Sequence, residues 1–261
     1  MELTTNLEWR EWGRRDPLFG VASCQGKDVA GFAPWTDQEF YALGESDWRE
    51  FNERWRRYGY APGVFVEIGC GAGRITRQLA TTFESGYALD VSEDMIRYAS
   101  SRVTTSNVEW HLTQGLSIPV NDNSVDGVFS SHVFQHLPSV EAGFAYFQEI
   151  MRTLKPGGTL MVHLPIHSFP SMVSQKFTSL CEFLYGLFLP MLNLKSRCKR
   201  FLMRHGGTPP MHGVSYEQER LCQTMLGIGF VRVEIQTFPV VSTGALHSFV
   251  LATKPRGTLS E

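Results

Sequence analysis

Among the five cysteines, Cys24, Cys70, Cys181, Cys198 and Cys222, no two stand as a C-x-x-C pair. Their odd number and wide scatter support neither a disulfide framework nor a structural zinc site. Neither sign of charge is in excess. A formal net charge of −2 gives no global basic field to draw the chain to nucleic acid, leaving only a local patch open. The opening MELTTNLEWREWGRRD has no apolar stretch, so a secretory signal is not expected and a reducing, cytoplasmic setting is. Repeats and low-complexity tracts are lacking as well. What remains is 43% hydrophobic and 19% charged over 261 residues, enough for a single domain (1–261) with a full core and an insertion.

The first sixty residues are rich in Trp and Phe. Spacing of Phe40, Leu43, Trp48, Phe51 and Trp55 predicts helix from Asp37 to Tyr58 with a break near Gly44. This N-terminal helical cap (1–60) is expected to pack over the core, and packing is the first role expected of Trp9, Trp12, Trp35, Trp48 and Trp55.

From Gly63 short apolar runs alternate with helical patterns. Strands are predicted at Val64 to Ile68, Gly86 to Asp90, Asn107 to Leu112, Val125 to Ser131 and Thr159 to Leu164. Helices are predicted at Arg74 to Phe83, from the Ser92 cap to about Arg102, and at Val140 to Leu154. Such alternation implies a parallel sheet with helices on both faces. After a last helix (Tyr216 to Leu226), strands Phe230 to Phe238 and Ser248 to Lys254 follow without a helix between them. They can pair antiparallel and give the sheet an antiparallel edge strand.

Between core (61–164) and last helix with terminal strand pair (214–261) lies an insertion, 165–213. It holds FTSLCEFLYGLFLPMLNL (177 to 194), then a basic run with Lys195, Arg197, Lys199, Arg200 and Arg204. Glu182 and Pro190 interrupt a run already short for a transmembrane span. A helical lid over the acceptor pocket is the favoured reading. Peripheral contact with membrane or a lipid-linked substrate through 177–204 is the alternative.

Glu67-Ile68-Gly69-Cys70-Gly71-Ala72-Gly73 follows a strand and precedes a helix. Glycines there let the backbone turn sharply and approach a ligand, and the helix N-terminus favours a carboxylate. Asp90 ends the next strand, where it can grip two ribose hydroxyls. The dinucleotide-binding fingerprint needs G-x-G-x-x-G, but here the third glycine comes one residue early. A carboxylate beside the loop suits a cationic ligand better than a pyrophosphate.

VFVEIGCGAGRIT, YALDVSEDMI, SVDGVFSSHVFQHLP and LKPGGTLMVH, in that order, resemble the successive motifs of the class I methyltransferases that use S-adenosylmethionine (SAM). The resemblance implies an α/β, Rossmann-like fold: a mostly parallel seven-stranded sheet with the antiparallel strand already inferred. It implies SAM as cofactor and S-adenosyl-L-homocysteine (SAH) as product. Glu67, Gly69, Cys70 and Gly71 are then expected around the methionine portion. Asp90 is expected on the ribose, with Val91 and Met95 flanking adenine. Gln114 takes the place of the usual adenine-binding Asp, ahead of Gly115 and Leu116, and its carbonyl can accept the same hydrogen bond. Ser130, closing the fourth strand, joins the cofactor set. Cys70 also reads as merely a small residue that fits the loop.

The loop after the fourth strand, His132-Val133-Phe134-Gln135-His136-Leu137-Pro138, is similar to the His-containing loop of bacterial sugar O-methyltransferases. The resemblance makes His136 the first candidate for the base that takes a hydroxyl proton and His132 the second; bracing the loop is the alternative role. Where some of those enzymes carry an Asp, this chain has His163-Leu164-Pro165, and His163, His167 and His212 are possible substitutes. No His–Asp or paired-Asp set is discernible, so metal independence is expected. The acceptor expected is a sugar, glycan terminus, natural product or lipid-linked small molecule methylated on oxygen. Methylation of nitrogen or carbon, or a non-catalytic SAM-binding protein, are the alternatives. Ser131-His132-Val133-Phe134 lacks the Asn-Pro-Pro-aromatic set that stacks a flipped base, so nucleic acid is not an expected partner.

Overall fold

The computed structural model describes residues 5–23, 27, 33–168 and 213–256. Residues 169–212 of the expected lid, and with them the basic run from Lys195 to Arg204, the 177–204 surface and His212, therefore lie outside the described residues. Among those described, no helix is long and apolar enough to cross a membrane.

Two helices, α1 (Asn6–Arg15) and α2 (Pro17–Val21), open the chain, and α3 (Asp37–Tyr58) follows. The core then alternates β1 (Val64–Ile68), α4 (Thr76–Thr82), β2 (Ser85–Asp90), α5 (Glu93–Arg102), β3 (Val108–Leu112), β4 (Val125–Ser130), α6 (Val140–Thr153) and β5 (Leu154–His163). Short strand β6 (Ile166–His167) falls in the first residues of the insertion and β7 (Tyr216–Glu217) just after it, and α7 (Gln218–Ile228), β8 (Val231–Pro239) and β9 (Leu246–Thr253) complete the fold.

The seven-stranded sheet has the order β3-β2-β1-β4-β5-β9-β8. All pairs from β3 to β5 are parallel, while β9 runs antiparallel to both β5 and β8. The reversed strand thus lies one place in from the edge, with β8 outermost. Burial explains the order: Phe249 to Ala252 of β9 are buried, whereas β8 is largely exposed.

Side-chain alternation sends the strands into two apolar layers. Val66, Val128, Leu160, Val162 and Val250 pack with Phe147 and Ile150 of α6 and Leu221 of α7. Their neighbours Phe65, Phe129, Met161 and Phe249 pack on the other face with Phe51 and Trp55 of α3 and Leu79 of α4. Burial of a ring such as Phe51 contributes on the order of 2 kcal/mol.

Helix α3 starts at a capping box, Thr36 with Glu39, and ends at Gly59 in the left-handed conformation (φ 108). The break expected near Gly44 is absent, because the glycine has another use. A Cβ there would meet the Arg74 carbonyl oxygen at 2.6 Å, so a bare backbone lets α3 press against the chain just past the glycine loop.

Candidate active site

Strands β1 and β4 are neighbours from which the chain departs in opposite directions across the sheet. The loops at their carboxyl ends therefore diverge and leave a crevice, where open α/β sheets bind ligands. The glycine loop and the His132–His136 segment face each other across it: a Cβ on Gly69 would lie 2.2 Å from Val133 Cγ2.

Gly69, Gly71 and Gly73 all have positive φ (72°, 52° and 81°). Gly69 and Cys70 donate their N–H groups to the Leu89 carbonyl at 2.8 and 2.9 Å. Gly71 donates to Asp90 Oδ2 at 2.8 Å, and the Ser92 N–H donates to Oδ1 at 2.9 Å. Burial raises the Asp90 pKa against these hydrogen bonds.

Glu67 takes a different position from the one its sequence context suggests. It is 3% exposed, accepts a hydrogen bond from Thr76 Oγ1, and is pushed up to about 8 chiefly by burial. It does not line the crevice. Cys70 is also buried, and burial with the nearby Asp90 and Glu67 raises its thiol pKa far above the ordinary value. That is the behaviour of a space-filling thiol.

Helices α1 and α3 close the glycine-loop side of the crevice. Asn6 Nδ2 donates to the Gln114 carbonyl and Arg10 Nε to the Val91 carbonyl, both at 3.0 Å. Tyr41 of α3 donates to the Ala72 carbonyl at 2.8 Å. Thr5, Asn6, Trp9 and Val21 consequently form one wall.

Arg74 is 4% exposed and pairs with Asp47, which is fully buried and also accepts the Ser242 N–H at 2.9 Å. Arg74 is among the residues that line the crevice, and its buried Nε has no hydrogen-bond partner; Ser131, also on the lining, has a buried Oγ that lacks one too. Unsatisfied buried donors in a cavity ask for a ligand acceptor.

Opposite stands a histidine cluster. His132 has a left-handed backbone (φ 61), and its ring centroid lies 4.4 Å from that of His163 on β5 and 4.9 Å from that of His247 on β9. The His132 N–H donates to His163 Nδ1 at 3.3 Å, His163 Nε2 lies 2.9 Å from His247 Nδ1, and His247 Nε2 lies 2.6 Å from Thr243 Oγ1. Burial lowers the pKa of all three rings: His132 falls well below the usual imidazole range, His163 drops to about 3, and His247 moves the same way. Their nitrogens fall within 4.8 Å of one another, a grouping invisible in sequence and one that the expectation of metal independence did not weigh. His136 stands apart, edge-on to Trp9 with centroids 4.9 Å apart, and its Nε2 lies 2.8 Å from Gln135 Nε2.

One cavity of about 300 Å³ joins these parts, at the lower end of small-molecule sites. Of the residues singled out in the sequence, Gly69, Gly71, Asp90, Val91, Met95, His132 and His136 line it. Glu67, Cys70, Gln114, Gly115, Leu116 and Ser130 do not. Ser130 Oγ ties β4 to the Ile68 carbonyl at 2.9 Å. Thr113 lines the cavity beside the exposed Gln114, while Tyr146 lines it and donates to the Gly115 carbonyl at 3.1 Å. Sequence reasoning missed Arg74, Thr113, Tyr146, Thr243 and His247; an Arg next to the last loop glycine was the one local clue.

Residues 66–162 match the methyltransferase domain family. A phosphoethanolamine N-methyltransferase 2 of Caenorhabditis elegans is 34% identical over 113 residues, 41% of this chain and 25% of that one. A malonyl-[acyl-carrier protein] O-methyltransferase of Hahella chejuensis is 35% identical over 102 residues, 38% of this chain and 36% of that one. The match thus spans well under half the length of these curated relatives. In solved structures the fold recurs in Haemonchus contortus phosphoethanolamine N-methyltransferase 1 (TM-score 0.60, 16% identity, 99% of this chain and 50% of that). It recurs also in the [4+2]-cyclase SpnF (TM-score 0.60, 15% identity, 98% of both). Residues 66–162 thus resemble a methyltransferase domain, and the fold around them is shared with a solved methyltransferase bound to S-adenosylhomocysteine. The crevice residues fit SAM: a glycine cradle, an acid at the end of β2, and an Arg74 Nε–H that Asp47 leaves without a partner and that suits a carboxylate.

Proposed function

We propose that the chain methylates a hydroxyl of a small-molecule acceptor, a sugar, glycan terminus or natural product, using SAM. The observation that carries this reading is the single cavity lined both by Gly69, Gly71 and Asp90 and by His132. SAM, when bound, supplies an electrophilic methyl group and leaves as SAH. Asp90 accepts hydrogen bonds from the ribose hydroxyls, and Arg74 offers its free Nε–H to the methionine carboxylate. Cavity walls from α1 and α2 exclude water. His132 takes the acceptor's proton as the new oxygen–carbon bond forms, its ring nitrogens having no hydrogen-bond partner among the described residues. His136 is the less suitable base. An amide nitrogen only donates, so the Gln135 contact at 2.8 Å occupies the lone pair of His136 Nε2.

Calorimetry with SAH and transfer of labelled methyl from SAM to panels of glycosides, phenols and amines test the reading. SAH binding with methyl transfer to hydroxyls is expected. Transfer to amines alone would put the acceptor on nitrogen, as in the name of the nematode relative, and binding without transfer to any acceptor class would favour a non-catalytic SAM-binding protein.

A further inference from the structure

A non-glycine residue in the left-handed region is strained and persists only where its surroundings over-determine it. His132, at φ 61 on the cavity wall, is such a residue. Its peptide is held by His163, and the hydrogen bond between them fixes more than position. A peptide nitrogen can only donate, so His163 Nδ1, 3.3 Å away, is the acceptor and carries no proton. His163 is 2% exposed with no carboxylate among its hydrogen-bond partners, so its ring is neutral and its one proton is on Nε2. Nε2 therefore donates to His247 Nδ1 at 2.9 Å. That leaves the His247 proton on Nε2, which donates to Thr243 Oγ1 at 2.6 Å. Thr243 Oγ1 also accepts the Ala245 N–H at 3.3 Å and donates to the Val240 carbonyl at 3.4 Å. Every donor in the chain meets an acceptor, with one tautomer for each ring.

The same rings superficially form a metal-ligand set. Tautomer logic opposes it. A metal-bound imidazole gives its lone pair to the ion and hands its other N–H to an acceptor. At His163 the outer nitrogen faces a donor instead, so lending Nε2 to an ion would set an N–H against the His132 N–H.

We propose that His163 and His247 are positioning residues: with Thr243 they form a tautomer-locked chain from the β8–β9 turn that seats the His132 peptide and aims its ring into the cavity. This rests on the reading of His132 as proton acceptor. The titratable groups around that ring are His163 of β5, His247 of β9, His136 of its own loop, and Arg74 beyond the glycine loop, itself paired with Asp47. All are neutral or cationic, so nothing nearby favours a protonated His132 before the acceptor arrives.

Two-bond proton–nitrogen spectra of the histidine-labelled, ligand-free protein read the tautomers directly. Nε2–H forms are expected at both His163 and His247 between pH 6 and 8. An Nδ1–H form at His163 overturns the chain, and so does stoichiometric binding of Zn²⁺ that removes both Nε2–H signals. In turnover, His163→Ala is expected to lower kcat by roughly a hundredfold with KM nearly constant, the scale of a displaced catalytic group. His163→Asn, whose Oδ1 can accept the His132 N–H, should recover most of that loss. Equal losses in the two variants would overturn the positioning role. SAH affinity measured alongside separates the failures. A wild-type protein that does not bind SAH overturns the cofactor reading and the positioning role with it; normal SAH binding with the wrong tautomer overturns the chain alone.

Discussion

Asp90 Oδ2 accepts the backbone N–H of Gly71 at 2.8 Å, so the acid that would hold the ribose also clamps the loop that would hold the methionine portion. Losing Asp90 removes a direct ligand contact and a support of the glycine cradle together. Asp90→Ala should weaken SAH binding by about 1.5–3 kcal/mol, the range for hydrogen bonds to a charged group. Calorimetry on a variant with unchanged circular dichroism checks it; unchanged affinity would remove Asp90 from the site.

Gly44 makes a sharper claim about packing. Its Cβ would fall 2.5 Å from Arg74 Cγ and 2.6 Å from the Arg74 carbonyl oxygen, and the backbone atom cannot swing aside. Gly44→Ala should therefore destabilise the protein by about 1–3 kcal/mol despite its better helix propensity, as overpacking does. Thermal unfolding should show a fall of several degrees in Tm. A rise in Tm would mean that α3 does not press on Arg74.

Glu67 predicts a pH dependence of stability. Burial, opposed by the Thr76 hydrogen bond, raises its pKa to about 8 from an ordinary 4.5. Between those values the folded state holds more protons than the unfolded one, so this group makes stability fall as pH rises from about 4.5 to 8. Glu67→Gln, which needs no proton, should flatten that slope and raise Tm most near pH 8. Denaturant melts of ligand-free protein across this window check it; identical slopes in both proteins would show that Glu67 is ionised in the fold.

The glycine-loop side of the crevice was legible because its signals are local. Gly69, Gly71 and Gly73 fall within five consecutive residues, and Asp90 announces itself at the end of the next strand. Strand–helix alternation gave the architecture for the same reason. Glu67 misled because sequence places it beside the loop but cannot tell which way a strand side chain points; it turns to Thr76. Gly44 misled because a glycine that breaks a helix and one that admits a neighbour look alike in sequence. The histidine cluster was least legible. His163 and His247 are separated by 84 positions and meet through the pairing of β5 with β9, which no periodicity reveals. Asn6 reaches Gln114 across 108 positions, so the part α1 plays in the wall was equally hidden.

That wall carries its own prediction. Asn6 Nδ2 and Arg10 Nε hold α1 to the loops after β3 and β2 through the Gln114 and Val91 carbonyls. Asn6→Ala should lower SAH affinity by roughly tenfold through a faster off-rate, with global stability nearly unchanged, since most affinity changes appear in dissociation. Stopped-flow displacement measures it. An unaltered off-rate would mean α1 does not hold the cofactor in.

The last prediction ranks the two loop histidines in the reverse of their sequence order. The His132 ring lines the cavity with no hydrogen-bond partner among the described residues, whereas the Nε2 lone pair of His136 is already taken by Gln135. His132→Ala should lower turnover of a hydroxyl acceptor by roughly a hundredfold or more, within the usual range for a general base, and His136→Ala by less than about tenfold. The pH profile adds an independent sign. Burial and the surrounding His163, Arg74, His247 and His136 hold His132 well below the ordinary imidazole pKa. A base must be neutral to act, so the rate should stay level as pH falls through about 6.5 and decline only at lower pH. In the unfolded chain His132 binds its proton near pH 6.5, so stability should fall over the same acidic range, and the rate must be read where the protein remains folded. A rate that halves near pH 6.5, together with a larger loss in His136→Ala than in His132→Ala, would return the role to His136. Full activity in both variants and in the double variant would take the base off this loop.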